Sequence, residues 1–199
     1  MYREMDPLAE RGAKQMGSTC TKGCAHCCYL LTTATLSEGL LIAEKLLVKP
    51  DWKALLPRLR ESALAHCYEG VSRVTYFEKK LPCVFLGKDN LCTIYDIRPA
   101  CCRYHYVASD PAKCSPDDRE GKTAVINLQM LEEKVWALSA HLGKQALDLD
   151  VPFVAPIPLL VLFCMELVSR ASKAENQLIR EACEGVLDPI NWLQQYSPS

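Results

Sequence analysis

The sequence predicts an α+β, mostly α fold: a helical domain with one small β-hairpin, organised around a cysteine-bound metal centre. Three observations predict it. Apolar residues recur with helical spacing between cap and stop signals along most of the chain. Only two short β-prone runs are convincing, and they flank a single Gly-Lys-Asp-Asn loop. Twelve cysteines are present, most of them in two clusters. Residues 1–145 are expected to form the cysteine-cluster domain, with 146–199 a helical extension packed on it.

The elements follow in order. In "TATLSEGLLIAEKLLVKP" (32–50), Thr35 precedes Glu38 by three residues, a capping-box pattern. Leu36, Leu40, Leu41, Leu46 and Leu47 supply the apolar face, and Pro50 marks the exit. Residues 51–69 read as a second helix with Asp51 as N-cap, Pro57 as a kink and Gly70 as the stop. Cys83–Leu86 and Leu91–Tyr95 read as the hairpin. With Leu86 opposite Leu91, Cys92 lies opposite Phe85, and Cys83 is its diagonal neighbour at about 7–8 Å. Residues 100–118 are turn-rich. A long helix is expected over about 122–142 with Gly143 as its stop, and Pro152, Pro156 and Pro158 form a stiff connector. One or two helices complete residues 157–185, beginning with the buried run "IPLLVLFCM".

Composition narrows the function. Hydrophobic residues make up 49% and charged residues 24%, as in ordinary soluble globular chains. The net charge of −1 and the lack of a long basic run argue against nucleic acid or membrane as partner. An unidentified protein or small molecule is expected instead. The N-terminal residues carry no apolar signal segment, and "IPLLVLFCM" is too short to span a bilayer, so a cytoplasmic location is expected. Structural disulfides are rare there, and clustered cysteines then read as metal ligands or redox groups.

The first cluster is "CTKGCAHCC", spaced C-x3-C-x2-C-C. On a helix, Cys20, Cys24, Cys27 and Cys28 would span roughly a 100° arc. As an irregular knuckle, Cys24-Ala25-His26-Cys27 has the C-x2-C spacing that grips one metal, and Gly23 permits the left-handed turn it needs. Either geometry gathers thiols whose anions repel unless a cation joins them. Radical S-adenosylmethionine enzymes use the same C-x3-C-x2-C spacing. They place it at the start of a β/α barrel, and no such train of strands and helices follows here. The second set, Cys83, Cys92, Cys101, Cys102 and Cys114, supplies distant ligands.

The ordered elements "CTKGCAHCC", "PCVFL", "CTIYDIRPACCR" and Cys114, followed by a helix with Ala124, Leu128, Leu131 and Glu132, resemble the YkgJ-like cysteine-cluster family over about residues 18–135. That family is described as zinc- or iron-chelating and is related to flagellin N-methylase. The resemblance implies eight metal ligands: Cys20, Cys24, Cys27, Cys28, Cys83, Cys92, Cys102 and Cys114. Arg98-Pro99 matches the family's Arg-Pro step. Cys101 is an additional cysteine, either a bystander or the ligand in place of Cys102.

All-thiolate coordination suits zinc or an iron–sulfur cluster. The related families favour a 4Fe-4S cluster, with zinc the alternative. Three functions compete: a redox or metal-handling protein, a cluster-dependent enzyme such as an S-adenosylmethionine-dependent protein methylase, and a zinc-stabilised interaction module. No catalytic residue is assigned.

His26 and His105 are expected beside the ligands rather than among them. Arg98 and Arg103 either stabilise the anionic site or form ordinary ion pairs, for example with Asp96. Tyr95, Tyr104 and Tyr106 are expected to pack around the cluster. Cys67, Cys164 and Cys183 are expected to be helical core residues.

Overall fold

The computed structural model describes residues 2–66, 72–118, 123–147 and 153–170. Among these the chain is mostly helical, with two small two-stranded antiparallel sheets. The helices are α1 (Tyr2–Gln15), α2 (Leu36–Leu47), α3 (Trp52–His66), α4 (Arg73–Glu78), α5 (Ala100–Arg103), α6 (Gln129–Leu147) and α7 (Ile157–Arg170). The strands are β1 (Thr33–Thr35), β2 (Tyr106–Val107), β3 (Val125–Ile126) and β4 (Val154–Pro156). β1 pairs with β4, and β2 with β3.

The main core is α2, α3 and α7, with Ile42, Leu59, Leu160 and Phe163 fully buried. The run "IPLLVLFCM" is its central helix, and Cys164 is a buried core residue as expected. Cys67, Cys183 and the Gly70 stop lie outside the described residues. Gly39 lets α2 approach α7 closely: a Cβ there would meet Leu160 Cγ at 2.7 Å and Cys164 Sγ at 2.9 Å. Gly39→Ala should therefore destabilise the protein by about 1–3 kcal/mol, although alanine is the better helix former. A rise in the denaturation midpoint would contradict that packing.

The expected capping box is present. Glu38 Oε2 accepts from Thr35 N at 2.8 Å and from Thr35 Oγ1 at 2.9 Å. Pro57 lies inside α3, also as expected. Three expectations need correction. The hairpin is reduced to one isolated bridge, with Leu86 opposite Cys92 rather than Leu91. The loop is closed by Gly87 N donating to Leu91 O at 2.8 Å, and Leu86 N turns back onto Cys83 O, so the ladder cannot extend. The long helix begins at Gln129 rather than about 122, because Val125 and Ile126 are taken by β2 and Asn127 Oδ1 accepts from Gln129 N at 2.8 Å. It also runs through Gly143 to Leu147; one glycine costs a helix only about 1 kcal/mol.

α1 and α4 were not anticipated. α1 buries Met5, Ala9 and Ala13, one face at spacing i, i+4, i+8. It covers a second, smaller core with Ala100, Tyr104 and Val135. Tyr104 and Tyr106 belong to this second core rather than to a shell around the thiols, and Tyr95 is 59% exposed. α5 therefore stands between two cores: Ala100 packs towards α1, while Cys101 and Cys102 pack against the main core.

At the end of α3, His66 is buried with its ring 4.3 Å from Tyr76, and it bonds to Ser62 O. Burial lowers its pKa below the ordinary 6.5. The unfolded chain thus takes up the proton first, and stability present above about pH 6.5 is lost as pH falls from there through the lowered value. Denaturation of wild type and His66→Gln should show their stability gap shrinking on acidification. Parallel pH profiles would contradict this.

Candidate metal centre

The first cluster forms an irregular knuckle. Gly23 has φ +87°, the left-handed turn the sequence demands, and Cys24 N donates to Thr21 O at 3.1 Å. Cys27 and Cys28 follow on a 3₁₀ turn, His26–Tyr29. The second cluster reaches this turn by two routes. Cys83 N donates to Cys28 O at 2.7 Å, anchoring the 83–92 loop. A second 3₁₀ turn, Pro111–Cys114, capped by Asp110 through Ala112 N at 2.9 Å, packs against His26–Tyr29.

α5 carries Cys101 and Cys102. Pro99 O accepts from Cys102 N at 3.0 Å and from Arg103 N at 2.8 Å, so the Arg-Pro step starts the cysteine helix. Glu38 fixes its other side: Glu38 Oε1 accepts from Ala100 N at 2.7 Å and from the Tyr2 hydroxyl. The guanidinium of Arg103 is buried. It pairs with Asp6, donates to Asp96 O and Arg98 O, and lies 4.2 Å from the Tyr2 ring. Arg103 is thus a structural residue, and its carboxylate partner is Asp6 rather than Asp96.

The thiols fall into two groups. Cys28, Cys83, Cys92 and Cys102 lie within electrostatic reach of one another or of Cys27. Cys114 lies within reach of Cys24, Cys20 and again Cys27. Cys27 is common to both. The Cys28 thiol donates to Cys27, which lowers the Cys27 pKa to about 7 and raises that of Cys28. Burial pushes Cys83 up to about 12, and the neighbouring thiols act in the same direction. Cys102 is held well above its ordinary value by its hydrogen bond with Cys101 and by burial. Burial also raises Cys92 and Cys114.

Cys101 is differently placed. Its Sγ donates to Thr33 O at 2.7 Å and lies 3.9 Å from Cys102 Sγ. Cys20 is the outermost, exposed, with its Sγ accepting from Val107 N at 3.4 Å. Among the described residues, no three His, Cys, Asp or Glu side chains stand in a metal-holding arrangement. The thiols are gathered within charge–charge range, short of coordination geometry. The donor set itself, sulfur without carboxylate, fits a soft metal such as zinc or iron.

His26 lies on the knuckle's 3₁₀ turn, near Asp117. His105, its pKa lowered by burial, instead lines a cavity of about 660 Å³ with Tyr104, Asn127, Glu133 and Trp136. That cavity begins two residues after Cys102, at Tyr104. The α1 residues Tyr2 and Asp6 escaped the sequence reading because nothing local links them to α5.

No curated protein and no solved structure matches this chain. A family model does: the CxxCxxCC domain, described as zinc- or iron-chelating, matches residues 19–124. That span contains all eight cysteines of the expected ligand set and just over half of the chain. The chain belongs to the CxxCxxCC family of zinc- or iron-chelating cysteine-cluster domains.

Proposed function

We propose that the protein binds an iron–sulfur cluster, 4Fe-4S in preference to zinc, and serves a redox or metal-handling role. The observation that carries this is the meeting of Cys27, Cys28, Cys83, Cys92 and Cys102 from three distant segments. An all-sulfur donor set suits iron–sulfur as well as zinc, and Cys20, Cys24 and Cys27 carry the C-x3-C-x2-C spacing that radical S-adenosylmethionine enzymes use for a 4Fe-4S cluster. On this reading Cys20, Cys24, Cys27, Cys28, Cys83, Cys92, Cys102 and Cys114 are the candidate ligands, and Cys101, turned to Thr33 O, is the bystander. The candidate ligands all lie within residues 1–145, and α7 completes the main core with α2 and α3. Anaerobically purified protein should show a broad visible absorption band that bleaches on reduction. A colourless protein with stoichiometric zinc would overturn the cluster reading.

One observation favours a second reading, a cluster-dependent enzyme such as an S-adenosylmethionine-dependent protein methylase. The cavity beside His105 is large enough for a small substrate. Calorimetric titration with S-adenosylmethionine tests it, and no heat of binding would remove it.

A further inference from the structure

We propose that Cys101 and Cys102 form a redox-sensitive dithiol, which a peroxide closes to a disulfide, withdrawing Cys102 from the metal site. The disulfide stands on the geometry of the two thiols alone, and its effect on metal loading rests on the chelation reading.

The two sulfurs are already close to contact, with Cys101 Sγ 3.9 Å from Cys102 Sγ. Cys101 is anchored from outside α5, because its Sγ donates to Thr33 O on β1 at 2.7 Å. Both thiols are half-buried and unbridged, so a molecule as small as hydrogen peroxide can reach them. Cys101 is also the cysteine left over beside the eight candidate ligands, and metal loading leaves its thiol available.

The backbone makes such a bridge reversible rather than structural. Neighbouring Cα atoms are only about 3.8 Å apart, nearer than most disulfides allow, so closure strains the turn that carries them. That turn is short: α5 spans four residues, with Cys102 N and Arg103 N both on Pro99 O. A strained disulfide is readily reduced by a small dithiol.

The chemistry balances with hydrogen peroxide as oxidant. Cys101 takes one peroxide oxygen to become the sulfenic acid, and the other oxygen leaves as water. The Cys102 sulfur then attacks the sulfenic sulfur. The S–S bond forms, the S–O bond breaks, and hydroxide leaves with the Cys102 proton as a second water. The sulfur pair loses two electrons and the peroxide gains them.

The test uses full-length protein, reduced, stripped of metal and exposed to hydrogen peroxide. Remaining thiols are alkylated, and the chain is cut with chymotrypsin. The peptide Asp96–Tyr104 holds Cys101 and Cys102 and no other cysteine. It should appear unalkylated and two hydrogen masses light, and dithiothreitol should restore it to the doubly alkylated form. Oxidised protein offered zinc should release it at roughly a hundredfold lower chelator concentration than reduced protein. Cys101→Ser should keep its zinc retention through the same exposure. Two fully alkylated cysteines, or Cys102 joined instead to Cys27, Cys28, Cys83 or Cys92, overturns the assignment. Equal loss of zinc retention in Cys101→Ser and wild type overturns the switch. If Cys101→Ser fails to fold, the wild-type peptide mass and its reversal still decide. A reduced wild type that holds neither zinc nor iron overturns the chelation reading instead, and the peptide mass alone then decides the disulfide.

Discussion

Glu38→Ala is expected to lose on the order of 4 kcal/mol of stability, an exceptional value for one substitution. The carboxylate is buried and accepts from Thr35 N, Thr35 Oγ1, Ala100 N and the Tyr2 hydroxyl. Removing it strands the Thr35 and Ala100 N–H groups and the Tyr2 hydroxyl, while Thr35 Oγ1 keeps Ser37 Oγ at 3.2 Å. Each buried unmet donor costs roughly 1–3 kcal/mol. Glutamine should recover only part of the loss, because its amide presents a donor where the carboxylate presents an acceptor. The consequence extends to the thiols. Ala100 N opens α5, so freeing it loosens Cys102, and Glu38→Ala should also retain less metal. Chemical denaturation and metal content, measured together, check both. A loss under 1 kcal/mol would show that the network is not held by this carboxylate.

Cys102→Ser should have the second large effect, and Cys101→Ser should serve as its control. Cys102 lies within reach of the Cys27 charge and packs against the main core, while Cys101 points to Thr33 O. Serine at 102 should weaken metal retention by roughly a hundredfold or more, beyond the ten- to hundredfold typical of losing an outer partner. Because the ligands come from separate segments, that binding energy is also folding energy, so the midpoint of unfolding should fall with it. Cys101→Ser should keep its metal. The reverse pattern would assign the ligand to Cys101.

How far the sequence is legible depends on how local each cause is. The capping box of Thr35 and Glu38 is a three-residue pattern, and it forms as read. Its second use, holding Ala100 N and Tyr2, joins residues 62 and 36 positions away, which no local spacing encodes. The buried α7 shows itself through the apolar run 157–165, with Pro158 falling in its first turn rather than in the connector. The strands do not, since two or three residues are too few for an alternating pattern to register. Strand propensity around Gly87-Lys88-Asp89-Asn90 is real, but turns at both ends leave only the Leu86–Cys92 bridge. The candidate ligands stand out because four cysteines in nine residues have no plain packing explanation. Their division into two groups sharing Cys27 depends on the path of the chain, and so does the pairing of Arg103 with Asp6.

The most direct test of the central claim is the metal and acid-labile sulfide content of the full-length protein, purified without oxygen. The expected result is iron and sulfide in equal amounts, lost together in Cys102→Ser and retained in Cys101→Ser. Zinc without sulfide would replace the cluster with a zinc centre on the same thiols. A folded protein that holds neither metal would contradict the account.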